Sequence, residues 1–146
     1  MTRDELTGRW TILEWVQTYD DGRVTYPMGK AVEGFIEYGP HGMFCFLTRS
    51  DRAPFTTGGQ WSADDREKAA AYNSCLSYAG DFEVDGDQVV HHVRHSLFPN
   101  WVGGTQRRHA RLDGDTLSLT ARLEEGTSEA RTAVLVWCRA RPGAAA

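Results

Sequence analysis

The stretch EGFIEYGPHGMFCFLT, residues 33–48, decides the fold. Two runs rich in aromatic and aliphatic residues flank Gly39-Pro40-His41-Gly42, and glycine and proline at this spacing are typical of a tight turn. The pattern therefore predicts a strand, a turn and a second strand that pairs antiparallel with the first.

Similar strand patterns lie on both sides of this hairpin, and each ends at turn residues. The predicted strands outside the hairpin are residues 10–17, 78–84, 88–97, 106–112, 117–123 and 133–137. Their short connections favour antiparallel neighbours, because parallel strands need long crossovers. Such a meander of about eight strands removes its exposed edges by closing into an up-and-down barrel, which is just wide enough to hold one small ligand. A β-sandwich is the competing architecture.

The longest break between strands holds the one helix that the sequence predicts, near residues 62–76. Ser62 can cap its N-terminus, Asp64 and Asp65 suit the positive end of the helix dipole, and residues 67–71 have high helix propensity. The side chains expected to face inward, by their helical spacing, are Tyr72, Cys75 and Leu76.

The length and composition of the chain limit the classes of protein to which it can belong. The 146 residues suit one ordinary domain, and with no repeat and no linker, residues 1–146 are predicted to form a single all-β domain whose tail, residues 143–146, frays. The net charge of −4 argues against a nucleic-acid partner or an anionic membrane surface, which both favour a basic footprint. No apolar run is long enough to span a bilayer.

The cysteines and the N-terminus indicate a cytoplasmic protein. Cys45, Cys75 and Cys138 are scattered, form no CxxC motif and are an odd set, so free thiols in a reducing compartment are expected. The first residues, 1–5, run straight into polar side chains and lack the apolar stretch of a signal peptide.

Motifs along nearly the whole chain resemble a known family. Leu6-Thr7-Gly8-Arg9-Trp10 resembles the Gly-x-Trp start of lipocalin-like barrels. The further motifs that follow in the expected order are Tyr26-Pro27-Met28-Gly29, Gly34 with Tyr38, Gly42-Met43, Asp51-Arg52, Tyr78-x-Gly80-x-Phe82, His91-His92-Val93, residues 96–103, Gln106, Arg108 and Leu112. Together they are similar to the bacterial and fungal lipocalin-like domain proteins. The resemblance implies a calycin-type closed barrel but no particular reaction, and some relatives are thought to accompany natural-product biosynthesis.

Three histidines on one predicted strand form the densest cluster of titratable groups. His91 and His95 share a face, but residues four apart on a strand are roughly 13 Å apart, at about 3.3 Å per residue, which is too far to bind one ion unless the strand bulges. The sequence therefore predicts no metal. His92 lies on the opposite face with Ser96. The His91 face is the more apolar, whereas the resemblance centres equally on His92 and Ser96, so which face lines the lumen stays open.

An arginine is expected inside the barrel, because Arg107 and Arg108 occupy opposite faces of the next strand. A buried arginine needs a partner. One reading is an ion pair with Glu37 or Glu14, and the other is a carboxylate, phenolate or enolate on a ligand.

The candidate site residues fall into two groups. The candidate catalytic residues are His92, His91 and Arg108. The candidate ligand-binding residues are the aromatic walls Trp10, Tyr38, Phe44, Phe46 and Tyr78, together with Ser96 and, on a loop at the barrel mouth, Arg52.

These residues support two leading hypotheses for function. The first is a cytoplasmic barrel of bacterial specialised metabolism that binds a small apolar, aromatic or polyketide-like molecule. The second is a cofactor-free isomerase, cyclase or dehydratase that uses a lumen histidine and an arginine for proton shifts. Haem bound through a histidine is a third reading, although no cofactor is predicted. A homodimer is left open.

Overall fold

The computed structural model describes residues 1–142, and the predicted frayed tail lies outside them. The strands are β1 Gly8–Tyr19, β2 Val24–Thr25, β3 Glu33–Gly39, β4 Gly42–Thr48, β5 Cys75–Asp85, β6 Gln88–Ser96, β7 Thr105–Asp113, β8 Thr116–Leu123 and β9 Arg131–Arg139. The helices are α1 Arg3–Leu6, α2 Asp65–Asn73 and a short 3₁₀ turn, Pro99–Trp101. No helix within residues 1–142 is long and apolar enough to cross a bilayer.

The sheet closes on itself. Every neighbouring pair of strands is antiparallel, and β1 pairs with β3 on one side and with β9 on the other. The two-residue β2 pairs only with the end of β1, opposite Gln17 and Thr18, so the barrel itself has eight strands. The predicted closed antiparallel barrel is confirmed, and the competing β-sandwich is wrong.

Side chains fill one end of the barrel. The four-residue α1 covers this end, and the Trp10 indole N–H donates to the Leu6 carbonyl at 2.8 Å. Leu6, Trp10, Val89 and Leu117 are fully buried there. The sequence does not predict α1, because a single helical turn leaves no periodic pattern. We call this the closed end.

The longer helix lies at the opposite end and is shorter than predicted. Asp64 caps α2 by accepting from the Glu67 N–H, whereas the Ser62 hydroxyl accepts from Gly59 in the preceding loop. No residue of α2 is buried, and Tyr72 is 45% exposed. Cys75 belongs to β5 instead of the helix. We call this end, which α2 borders, the open end.

Two β-bulges change which residues face inward. One lies in β1, where Leu13 is the extra residue between Ile12 and Glu14, and the other lies in β6, where Arg94 is the extra residue opposite Ala79 and Gly80 of β5. At Gly80 the strands approach so closely that an added Cβ would lie 1.9 Å from the His92 carbonyl oxygen, so only glycine fits. Each bulge reverses the alternation of the residues beyond it.

Candidate functional site

The barrel encloses a cavity of about 650 Å³ that reaches the open end. Its walls are mainly apolar, and they include Trp15, Leu76, Trp101, Leu119, Leu135 and Trp137. Met28, Tyr72 and Phe98 border it at the mouth. A volume of this size lies within the roughly 300–1,000 Å³ of small-molecule sites, and such sites are typically apolar with a few placed polar groups.

A buried histidine between two tyrosines forms the polar floor of the cavity. Tyr38 Oη lies 2.7 Å from His91 Nε2, and Tyr78 Oη lies 2.9 Å from His91 Nδ1. His91 and Tyr38 are each 1% exposed, and of the two tyrosines only Tyr78 lines the cavity. We refer to Tyr38, His91 and Tyr78 as the relay.

All three groups of the relay are neutral near pH 7. Burial is the main cause that lowers the pKa of His91 to about 3, and the nearby Arg108 charge adds to the effect. Burial also raises the pKa of the Tyr78 hydroxyl, and it raises that of Tyr38 well above its ordinary range. Desolvation disfavours the charged form of each group, which explains the opposite directions for the base and the two acids.

The strand register positions the relay. His91 on β6 lies opposite Phe82 of β5 and opposite Gln106 of β7. The Tyr38 ring packs edge-on against Phe82, with ring centroids 4.8 Å apart. Trp101 packs edge-on against Tyr78 at 5.4 Å, so the segment after β6 supports the cavity-lining tyrosine.

Arg108 points into the cavity, as one of the two adjacent arginines was expected to do. Its Nη2 donates to Gln106 Oε1 at 3.0 Å, and its Nη1 donates to the Arg107 carbonyl at 2.9 Å. The expected ion pair with Glu37 or Glu14 is wrong. Glu37 pairs with Arg9 on the outer surface at 3.0 Å, and Glu14 is exposed.

The two other histidines of β6 lie outside the cavity. His92 is on the outer face, with its Nε2 3.5 Å from Glu83 and its Nδ1 3.4 Å from the Thr105 hydroxyl. His95 does not share the face of His91, because the bulge leaves Arg94 without a partner and sets His95 opposite the outward Ala79. His91 is therefore the lumen histidine.

Metal or haem ligation finds no support in this geometry. Within residues 1–142, no three histidine, cysteine or acidic side chains are grouped closely enough to hold a metal ion. Both ring nitrogens of His91 already have tyrosine partners, so an axial bond to haem iron would break one of these hydrogen bonds.

Six of the seven candidate ligand-binding residues do not line the cavity, and the buried Tyr38 of the relay is one of them. Phe44 and Phe46 lie on the outer face of β4, beside each other at 6.2 Å, because inward positions on that strand belong to Met43, Cys45 and Leu47. Trp10 belongs to the packed closed end. The remaining two have local roles: the Ser96 hydroxyl accepts from the Phe98 N–H, and Arg52 donates to the Ser74 hydroxyl.

Several residues that line the cavity are not among those that the sequence predicts. Trp15 and Trp137 do so, and the indole N–H of each is buried without a hydrogen-bond partner among residues 1–142. Trp15 faces inward only because the β1 bulge shifts the alternation set by Trp10 and Ile12. Gln106 carried a usable signal, because it lies two residues before Arg108 and so shares its face.

Comparison with known proteins points to a family and to one informative relative. A family model described as "Lipocalin-like domain" matches residues 7–140. A protein of Aspergillus oryzae named 4'-hydroxy-3'-methoxypropiophenone carrier protein ppsC is 37% identical over 67 residues, which cover 40% of this chain and 60% of the relative. The chain thus matches less than two thirds of the relative's length.

Proposed function

The chain belongs to the lipocalin-like domain family, and from this premise we propose that it binds a small aromatic, polyketide-like molecule in the barrel cavity and carries it in bacterial specialised metabolism. The observation that supports this most is the cavity of about 650 Å³, which is lined by indole and aliphatic side chains around a few polar groups. Three free cysteines suit a reducing cytoplasm, which we propose as the setting.

The name of the Aspergillus relative suggests the kind of guest. 4'-Hydroxy-3'-methoxypropiophenone is an aryl ketone with a phenolic hydroxyl and an ether, and it combines a flat apolar ring with oxygens at both ends. The cavity offers matching chemistry, with aromatic walls at Trp15 and Trp137 and a polar floor at Tyr78 and Arg108. We therefore propose a hydroxylated or methoxylated aryl ketone as the first guest to test.

Quenching of tryptophan fluorescence by 4'-hydroxy-3'-methoxypropiophenone tests the proposal directly. Three of the five tryptophans, Trp15, Trp101 and Trp137, line the cavity, so a bound aromatic ring should change their emission. We expect saturable quenching with a Kd in the micromolar range, which is about −8 kcal/mol of binding free energy at 1 μM. Titrations that never saturate would contradict a binding role.

A cavity-filling variant and a matched surface variant locate the guest. Ala121 lines the cavity, and its neighbour Thr120 does not. Ala121→Phe should occupy the guest's space and weaken binding at least about tenfold, whereas Thr120→Phe should leave it within about twofold. Equal effects of the two substitutions would place binding outside the barrel.

The catalytic alternative receives less support from the geometry. A general base must accept a proton from the substrate, but both His91 nitrogens are engaged by tyrosines and burial lowers the pKa of the ring to about 3. His92 lies outside the lumen and cannot replace it. Arg108 remains able to bind an oxyanion, so a His91→Ala variant that loses turnover of an enolisable aryl ketone but keeps its affinity would favour the enzyme.

A further inference from the structure

The buried polar side chains of the cavity present hydrogen-bond donors and almost no acceptors. No aspartate or glutamate of residues 1–142 lines it. The two glutamine carbonyl oxygens that could accept are already taken, because Arg108 donates to Gln106 Oε1 at 3.0 Å and Arg131 donates to Gln17 Oε1 at 2.9 Å. The third lining amide, Asn73, is exposed, so the buried glutamine and arginine side chains offer a guest mainly amide and guanidinium N–H groups.

Two positive charges border the cavity without a neutralising carboxylate. Arg108 and Arg131 both line it, and neither forms an ion pair with an acidic side chain of residues 1–142. The protein as a whole carries a net charge of −4, so the cavity has the opposite sign to the molecule. A guanidinium out of bulk water is most stable beside an anion.

The hydrogen bonds of the relay leave a third donor, the Tyr78 hydroxyl, free to face the guest. Tyr38 is completely buried, and His91 Nε2 is its hydroxyl's one hydrogen-bond partner within the described chain. If Nε2 carried the proton, the Tyr38 O–H would have no acceptor, which is costly in a buried site. Tyr38 therefore donates to Nε2, the Nδ1–H of His91 donates to Tyr78 Oη, and the Tyr78 O–H is left to donate into the cavity.

The wall opposite the relay adds two more donors. Trp15 on β1 and Trp137 on β9 line the cavity, and within residues 1–142 neither buried indole N–H has an acceptor. A buried donor without a partner costs free energy unless a ligand or a water supplies the acceptor. Donors thus border the guest from β5 and β7 on one side and from β1 and β9 on the other.

We propose that the guest is an aromatic anion, a carboxylate or an ionised phenol or enol, whose charged oxygen lies against Arg108 and the Tyr78 hydroxyl. The proposal rests on the small-molecule binding proposed above and adds the charge and polarity of the guest. A second oxygen on the far side of the ring accepts from the indole N–H groups. A cationic or donor-rich aromatic of the same size should bind less tightly, because no carboxylate of residues 1–142 lines the cavity and the one side-chain amide oxygen without an arginine donor, that of Asn73, lies on an exposed residue.

Three naphthalenes of similar shape test the charge of the guest. 2-Naphthoate is an anion, 2-acetonaphthone is a neutral acceptor and 2-naphthylmethylammonium is a cation. Calorimetric titration at pH 7.5 should give the tightest binding for 2-naphthoate, about 10-fold or more over the ketone, and the weakest for the ammonium ion. If the ketone binds and the naphthoate binds no better, the anion proposal fails and the binding function stands. If none of the three binds, both fail.

Adjacent arginines provide a matched pair of variants. Arg108→Met should weaken 2-naphthoate about 10- to 100-fold and 2-acetonaphthone less than about threefold, because the lost interaction is a charge-assisted one. Arg107→Met, which removes the same charge from the exposed outer face, should change neither by more than about twofold. An equal loss for naphthoate and ketone in Arg108→Met would overturn the proposal. Should Arg108→Met fail to fold, the order of the three probes on the unaltered protein decides the question alone.

Discussion

The two ends of the barrel are built from the same strands but hold different contents. Along β8 and β9, the inward pairs that face each other shrink from Leu117–Trp137 at the closed end, through Leu119–Leu135, to Ala121–Ala133, and the pair Leu123–Arg131 at the rim is larger again. Side chains therefore fill the closed end and leave space beyond it. The size of the inward residues therefore decides where this barrel is a packed core and where it encloses a binding cavity.

The largest expected effect lies at the closed end. Trp10→Ala should lower the free energy of unfolding by about 3–5 kcal/mol, because it removes a fully buried indole and leaves a cavity that the surrounding strands cannot fill. Trp15→Ala, at the cavity wall, should cost less than about half of that, since its indole already borders open space. Urea denaturation of both variants measures the difference, and equal losses would contradict a division into a packed end and an open end.

The floor of the cavity, where the two ends meet, should make stability depend on pH. Burial lowers the pKa of His91 from about 6.5 in the unfolded chain to about 3 in the folded protein, so the unfolded chain binds the extra proton. Stability from this group is complete above about pH 6.5 and falls towards pH 3, by up to about 1.4 kcal/mol per pH unit. The expected loss between pH 6.5 and pH 5 is about 1.6 kcal/mol, because the full slope is reached only well below the unfolded-state pKa.

Variants of two neighbouring histidines separate the pH dependence that His91 causes from that of other titrating groups. His91→Gln should reduce the slope of stability against pH between about pH 6.5 and pH 5, although the variant starts out less stable. His92→Gln, on the outer face, should keep the slope of the unaltered protein. Denaturant titrations at both pH values check this, and the same slope in both variants would mean that the inner histidine is not held neutral by burial.

A smaller effect, on the affinity for the guest, is expected from substitution of Tyr38, which does not line the cavity. Tyr38→Phe removes the donor to His91 Nε2, so the ring can take its other tautomer and the Tyr78 hydroxyl turns from the guest towards Nδ1. Affinity for 2-naphthoate should fall about 5- to 10-fold, as it should in Tyr78→Phe, which corresponds to about 1–1.4 kcal/mol. The double variant should lose little more than either single one. Unchanged affinity in Tyr38→Phe would contradict the proposed direction of the relay.

The smallest effect on stability should come from the rim of the open end. Leu97 borders the mouth and is 39% exposed, so Leu97→Ser should change the free energy of unfolding by no more than about 0.5 kcal/mol. The affinity of this variant for 2-acetonaphthone should nevertheless fall by about two- to threefold, because serine does not replace the apolar contact of Leu97 with the guest. A stability loss comparable to that of Trp10→Ala would show that the rim is part of the core.

Much of the fold could be predicted because its signals are local. Alternating residues and turn dipeptides marked the barrel strands, and the short connections between them indicated antiparallel neighbours. The apolar neighbours Val89 and Val93 favoured the face that carries His91, which is the face that is buried. The same alternation offered two choices on β4, Cys45 or the pair Phe44 and Phe46. The larger aromatic residues were predicted to line the cavity, but Cys45 does.

The candidate site was harder to predict because its positions depend on distant parts of the chain. A bulge moves His95 outward and another moves Trp15 inward, and neither bulge has a sequence signature in this chain. The sequence narrowed the inward-facing arginine to Arg107 or Arg108. It could not show that Arg108 has a glutamine partner and no acidic partner, because both depend on packing.

The sequence by itself determined the barrel strands, the turns, the antiparallel pairing of neighbours and a net negative charge, because each depends on composition, on short connections or on a period of two residues. Only the tertiary structure decided which member of each alternating pair faces inward. That choice depends on the register between strands, and a one-residue shift exchanges the two faces. The relay shows this most clearly, since its members come from β3, β5 and β6 and meet only once those strands have paired.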